Sequence, residues 1–526
     1  MKAEGGRRKE NVATARSLFT RHSSLAFVLG AAAVAGYAPF YLFPLPVLAL
    51  AGLLYFWSQA PTARAAAVTG FSFGLGLFLF GVSWIYVSLH DFGAMPMPVA
   101  AATTLLFCAF LALFPAAVGY LCVRAPFTPV ARWILLAPAL CTLVEWTRSW
   151  IFTGFPWLGI GYSQIPVSPL AGYGPLVGIH GVTLATAATA GLLVCGWLSI
   201  AGKAEGKTQL LSFILHPSAF ILIAIWVAGF GLKQVTWTQP VGAPLNVSLL
   251  QGNVPQDMKW RADRVQATLD TYLTLVRQST SPLVILPETA LPLFLEQVPP
   301  EYLDALAAHA RENRGDILVG VPLRQADGKK YFNSVISYGT APTQGYRKSH
   351  LVPFGEFIPL RPVLGWIVTA LSIPLQDFSR GGENQRPLAI AGQRVAVNVC
   401  YEDVFGEEII RQLPEATLLV NVSNVAWFGR SLAPRQHLQI SQARALETGR
   451  YLLRATNTGI TGVIAPDGKV VAAAPEFTMT TVTHRVQGYG GATPYVRWGN
   501  YAALGICLAL IAAAALIGRR SNRSAV

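Results

Sequence analysis

VAVNVCYEDVFGEEI, Val395–Ile409, carries a run of small and β-branched residues into one cysteine, Cys400, and then into an aromatic and a cluster of acids. The run reads as a buried strand. The acids behind it would discourage ionisation of a thiol placed at its end. Whether Cys400 is a packing residue or a reactive one depends on its compartment and on what the rest of the chain brings beside it.

The 526 residues are 53% hydrophobic and 13% charged, with a mean hydropathy of +0.44. A soluble domain carries roughly 25% charged residues, so this composition implies a membrane protein with a soluble part attached. About eight apolar stretches could enter a bilayer core. They lie near Ser24–Tyr37, Phe43–Trp57, Ala65–Leu89, Pro98–Cys122, Trp133–Val144, Leu176–Ile200, Leu211–Leu232 and Ala502–Ile517. The net charge of +14 does not call for nucleic acid, because basic cytoplasmic loops supply it. Lys2, Arg7, Arg8 and Lys9 precede the first stretch. Arg64, then Arg124 and Arg132, then Lys203 and Lys207 fall in alternate loops, and Arg519, Arg520 and Arg523 close the chain. The positive-inside rule then puts both termini in the cytoplasm. The first apolar segment reads as an anchor rather than a cleaved leader.

Three regions are expected: a membrane domain of about seven spans over 1–232, an extracytoplasmic domain over 233–499, and a last span with a basic tail over 500–526. Cys108, Cys122, Cys141, Cys195 and Cys507 fall in or beside spans, where small apolar packing accounts for them. Cys400 has no partner within the outer domain. A lone thiol in an oxidising compartment invites a reactive reading.

The outer domain alternates strands with helices. NVSLLQGNV (Asn246–Val254), LVILPET (Leu283–Thr289), DILVGVPL (Asp316–Leu323), NSVISYG (Asn333–Gly339), VAVNVCYE and TLLVNVSN (Thr417–Asn424) read as strands. Helices are expected over Arg261–Arg277, Glu301–Glu312, Gly406–Leu413 and Arg435–Arg454. A closing hairpin turns at Pro466-Asp467-Gly468. This is an α/β domain with covered sheets. The apolar segment Arg361–Leu375 is too short to span a bilayer. It reads either as a core helix or as an interfacial lid, with Trp366 the residue best suited to a membrane–water boundary.

Glu288 and Cys400 end strands, and Lys348 lies in the loop GYRKSHLVPFGEF. Sites in α/β sheets form at the carboxyl ends of strands. A carboxylate can serve as base to a thiol, and a lysine with the backbone N–H of Tyr401 can receive a developing oxyanion. The histidines lack ligand spacing, so no metal site is expected.

Glu288, Lys348 and Cys400, in that order, resemble the Glu-Lys-Cys triad of the nitrilase superfamily. With LLQGNVPQDMKW, PETALP, YRKSHLVPFGEFIPL, NVSNVAWFG, RQHLQISQARALETGR and the membrane motif EWTRSWIFTGFPWLGIGYSQ (Glu145–Gln164), the chain resembles the apolipoprotein N-acyltransferases over nearly its whole length. The resemblance implies an αββα sandwich for the outer domain, on the periplasmic side of a bacterial inner membrane. It implies an acyltransferase without cofactor that takes a fatty acyl chain from a phospholipid donor, through a thioester, to the α-amino group of a diacylglyceryl-modified lipoprotein acceptor. Residue by residue it implies Glu288 as base, Lys348 as oxyanion stabiliser, Cys400 as nucleophile, Glu356, Tyr401 and Glu402 as support, and Trp260 as a substrate contact. Two other readings stand beside it: a membrane-anchored amidase that uses the same triad to hydrolyse small amides, and a transporter with a passive outer domain. For the second, Glu145 and Arg148, about one helical turn apart, would be the intramembrane charges, with a local ion pair as their plain explanation.

Overall fold

The computed structural model describes residues 20–201, 216–256, 261–325, 327–358 and 378–523. Trp260, Trp366 and the segment Arg361–Leu375 lie outside the described residues. The chain divides into two compact units. One comprises the residues through Ser83, Ala101–Gln234 and those from Asn500 onward; the other comprises Trp84–Ala100 and Val235–Gly499.

The first unit is helical. Among the described residues, Ala63–Gly81, Met97–Arg124, Pro169–Ile200 and Tyr501–Arg519 are long and apolar enough to cross a membrane, and Pro44–Ser58 and Pro217–Leu232 are shorter apolar helices. A helix also runs over 20–33. The apolar stretch Ala65–Leu89 is not one helix: it stops at Gly81, and Trp84 onward belongs to the second unit. Hydropathy continues through this break because Trp84, Ile85 and Val87 are as apolar as a span. Small residues let helices touch. A Cβ on Gly30 would lie 1.9 Å from the Phe73 carbonyl oxygen, and one on Gly76 would lie 2.1 Å from that of Phe27. Without lipid–water contrast to drive association, such backbone-to-backbone contact is how membrane helices adhere. Glu145 accepts hydrogen bonds from Ile160 N (2.8 Å) and Thr183 Oγ1 (2.9 Å). Arg148 Nη1 donates to the carbonyls of Phe155 (2.6 Å) and Trp157 (2.7 Å). Both charges therefore tie down the GFPWLGI loop.

The second unit is a four-layer sandwich. One six-stranded sheet has the order β12-β1-β2-β3-β4-β5 and the other β11-β10-β9-β8-β7-β6. The first contains β1 (Gln239–Gln251), β2 (Leu283–Ile285), β3 (Asp316–Arg324), β4 (Tyr331–Gly339), β5 (Gly345–Arg347) and β12 (Thr480–Gly490). The second contains β6 (Leu388–Ile390), β7 (Gln393–Val399), β8 (Leu418–Ser423), β9 (Leu452–Thr456), β10 (Gly462–Ile464) and β11 (Val470–Ala473). Strand alternation sorts the apolar residues into layers. Val247, Leu249, Ile285 and Leu318 of one sheet meet Val395, Val397, Val399, Leu418, Val420 and Val422 of the other. On the outer face of the first sheet, Leu250, Val284 and Val319 pack against the helices Val265–Arg277 and Pro300–Glu312. On that of the second, Ala396, Leu419 and Leu452 pack against Ala433–Thr448. This is the expected αββα arrangement.

The boundaries differ in places. The helix expected to reach Arg454 ends at Thr448: Gly449 takes a left-handed φ of 62°, and Leu452–Thr456 is β9. Glycine bears this conformation without steric penalty and ends helices for that reason. Gly406–Leu413 forms one short turn, Gly406–Ile409, and a 3-10 turn, Ile410–Gln412. β5, β6 and β12 were not expected; the first two are three residues long, too short for a periodic signal.

Candidate active site

Glu288, Lys348 and Cys400 converge at the strand ends, from three separate loops. Gly320 of β3 makes the first loop possible. A Cβ there would lie 2.2 Å from the Pro287 carbonyl oxygen and 2.9 Å from Glu288 Cα. The turn carrying Glu288 thus rests directly on the neighbouring strand. Lys348 follows β5, with its N–H donating to the Asn333 carbonyl of β4 (2.8 Å).

Cys400 sits where β7 breaks. Alternation would send residue 400 to the outer face, with Ala396 and Asn398. Its φ of +54° lies instead in the left-handed region, which few non-glycine residues occupy and which is enriched at functional sites. The side chain turns back against the inter-sheet core and keeps partial exposure.

The Lys348 side chain is 1% exposed. Its Nζ lies 2.8 Å from Glu356 Oε2 and 3.7 Å from Glu288 Oε1. Burial alone would lower the ammonium's pKa, but Glu356 and Glu288 outweigh it and hold the group well above its ordinary range. The Asn333 amide donates to Glu288 Oε1 (2.7 Å) and to Glu356 Oε1 (3.0 Å). Asn424 N donates to Glu288 Oε2 (2.7 Å) and Val352 N to Glu356 Oε2 (2.9 Å). Burial first, and the Glu288 carboxylate second, push the Cys400 thiol far above its usual value; Lys348 pulls it down. A thiol held up in this way needs a base to take its proton before it can react.

Glu402 lies behind Cys400, 1% exposed. It accepts hydrogen bonds from the backbone N–H groups of Ser349 (2.6 Å), His350 (3.0 Å) and Val399 (2.7 Å), and from Tyr346 OH (3.0 Å). It thereby joins the lysine loop of one sheet to the cysteine turn of the other. Burial pushes its carboxyl up to about 7, against the pull of those donors. Tyr401 packs edge-on against Phe405, which stacks on His350 at 3.8 Å.

Six of the eight residues singled out from sequence thus fall in one place. Sequence reasoning missed Asn333, which bridges two carboxylates, and Asn424, whose backbone N–H holds Glu288. It also missed a polar cluster beneath Cys400, made of Asn398, Asp403, Asn421, His437, Ser441 and Arg454. The available signal was an asparagine within each of the strands VAVNV and LLVNVS, at positions alternating with valine.

Residues 246–495 match the carbon-nitrogen hydrolase family, and residues 29–192 match the apolipoprotein N-acyltransferase N-terminal domain. The chain is 53% identical over 500 residues to an apolipoprotein N-acyltransferase of Nitrosomonas europaea, covering 94% of this chain and 98% of that one. It is 45% identical to that of Chromobacterium violaceum (94% and 93% covered) and 45% identical to that of Methylococcus capsulatus (90% and 92%). A nitrilase-type sandwich joined to an apolar helical unit, and matched along nearly its whole length by acyltransferases, settles the family: the chain belongs to the apolipoprotein N-acyltransferases.

Proposed function

We propose that the protein moves a fatty acyl chain from a glycerophospholipid to the α-amino group of an N-terminal S-diacylglyceryl cysteine, through a thioester on Cys400. The observation that carries this reading is the meeting of the Glu288 carboxyl, the Lys348 amine and the Cys400 thiol at one strand-end site, with Lys348 Nζ 3.7 Å from Glu288 Oε1.

In the first half-reaction Glu288 takes the thiol proton as Sγ attacks the ester carbonyl carbon of the donor. The oxyanion forms beside the Lys348 ammonium, which Glu356 holds in place, and the Tyr401 N–H is a second donor to it. Collapse breaks the acyl C–O bond. The departing lysophospholipid oxygen takes the proton from Glu288, and the acyl group stays on sulfur. In the second half-reaction the acceptor amine attacks the thioester carbonyl and gives a proton to Glu288. The C–S bond breaks, and the proton returns to the sulfur. Glu402 and Tyr401 support the turn, and Trp260 and Trp366 are proposed substrate contacts.

Neither lipid leaves a bilayer cheaply, since each buried CH₂ is worth about 0.8 kcal/mol. Residues 1–232 and 500–526 are accordingly proposed as the membrane anchor, with both termini cytoplasmic and residues 233–499 at the periplasmic face of the inner membrane. The distribution of Lys and Arg among the loops supports this.

The test is intact-mass analysis after mixing the purified protein with phospholipid alone. The expected result is one added fatty acyl group, released by neutral hydroxylamine and absent in Cys400→Ala. Protein that N-acylates an acceptor peptide yet never carries the adduct would overturn the covalent step.

A further inference from the structure

Beneath the nucleophile lies a polar cluster that the triad does not use. β7, β8 and β9 run parallel, and their register sets Asn398 opposite Asn421 and Asn421 opposite Arg454. Alternation turns this row away from the inter-sheet core and toward the helix Ala433–Thr448. That helix supplies His437 and Ser441, four residues apart and therefore on one face. Asp403 enters from the turn after Cys400. All six side chains are essentially buried.

The bonds end at two places, the Asp403 carboxylate and the Cys400 carbonyl, and Ser423 Oγ also donates to Asn421 Oδ1 (2.7 Å). Arg454 Nη1 donates to Asp403 Oδ2 (3.1 Å), Ser441 Oγ (3.0 Å) and Asn421 Oδ1 (2.7 Å). Ser441 Oγ donates to Asp403, whose other oxygen lies 2.6 Å from His437 Nε2. The Asn421 amide nitrogen donates to Asn398 Oδ1 (2.6 Å) and to the carbonyl oxygen of Cys400 (3.1 Å). An ion pair and two amides within an otherwise apolar layer are no gain in stability over hydrocarbon of the same volume. What they deliver is a hydrogen bond to the one residue of the turn that is both left-handed and reactive.

We propose that Arg454 and Asn421 are positioning residues for the nucleophile: Arg454 fixes the Asn421 amide, and that amide holds the Cys400 carbonyl so that the left-handed turn keeps the thiol at the inter-sheet site. The inference rests on Cys400 being the nucleophile. A second effect acts through space, since the Arg454 charge draws the thiol downward, against burial and Glu288.

The test uses the full-length protein in detergent. Asn421→Ala is expected to acylate Cys400 from phospholipid about 100-fold more slowly, with the KM for phospholipid unchanged, as for a reacting atom displaced by about an ångström. Alkylation of Cys400 by iodoacetamide, followed against pH, separates positioning from mere stability. Arg454→Met moves the midpoint to higher pH; Arg454→Lys moves it back and recovers at least about tenfold of the lost acylation. A folded Asn421→Ala that acylates at the wild-type rate, or an unmoved midpoint in Arg454→Met, overturns the proposal. Where those variants do not fold, Ser441→Ala removes one hydroxyl and no charge. It is expected to slow acylation about tenfold, and an unchanged rate overturns the proposal equally. If wild-type protein never forms an acyl adduct while the alkylation midpoints move as stated, the acyl-carrier reading fails and the positioning role stands.

Discussion

Lys348 is tied more closely to Glu356 than to Glu288: its Nζ lies 2.8 Å from Glu356 Oε2 and 3.7 Å from Glu288 Oε1. Glu356 anchors the ammonium, and the proposed mechanism leaves Glu288 to exchange a proton with the thiol. Glu356→Gln removes the anchor and lets Lys348 collapse onto Glu288. Breaking a buried pair in this way costs about 3–5 kcal/mol. Acyl-adduct formation is expected to fall about 100-fold, read by time-resolved intact mass, with a lower unfolding midpoint in the same preparation. Wild-type rates in that variant would show that Glu356 has no part in the site.

Glu288→Gln separates a general-base mechanism from a resident thiolate. The Glu288 charge raises the Cys400 thiol, so its loss brings the alkylation midpoint to lower pH. Acylation nonetheless falls about 10²–10⁴-fold, because the proton acceptor is gone. An easier thiolate with faster acylation would reverse the assignment.

Glu402 carries a pH signature. Its carboxyl rises from an ordinary 4.5 to about 7 on folding, mainly through burial. A group whose folded pKa is raised contributes stability that is fully present below the unfolded value and is lost as pH rises through the folded one. The loss therefore spans roughly pH 4.5 to 7 and amounts to about 3 kcal/mol. Glu402→Gln has no such titration. It is less stable at every pH, because its NH₂ must face one of the backbone N–H donors now bound to Glu402. The stability gap between wild type and variant is expected to narrow from pH 4.5 to 7 in denaturant titrations. A gap that widens would show the opposite shift.

In the helical unit, Gly76→Ala drives a methyl group into the Phe27 carbonyl. Overpacking of this kind costs about 1–3 kcal/mol, and the variant should unfold at lower temperature in detergent. Gly505, with nothing within 4 Å of a Cβ, tolerates alanine and serves as the control.

Composition and loop charge were enough to read a membrane protein, because apolar length and basic flanks are properties of segments. VAVNVC, LVILPE and TLLVNVSN were likewise legible as strands from their own residues, and motif order placed Glu288, Lys348, Glu356, Cys400 and Glu402 in one family pattern. The expected helix runs past its end at Thr448 although Gly449 marks the stop; that LLRAT is a strand follows from its pairing with β8 and β10. β12 was missed because its pairing with β1 joins residues far apart in the chain.

What the sequence determined by itself was identity of parts: which side chains exist, in what order, on which kind of segment. Which carboxylate grips Lys348, that Asn333 bridges both acids, and that Asn398, Asn421 and Arg454 form one row beneath Cys400 were decided by the tertiary structure alone. These follow from strand register and from two sheets meeting, and register is an energy of the whole sandwich rather than of any stretch within it.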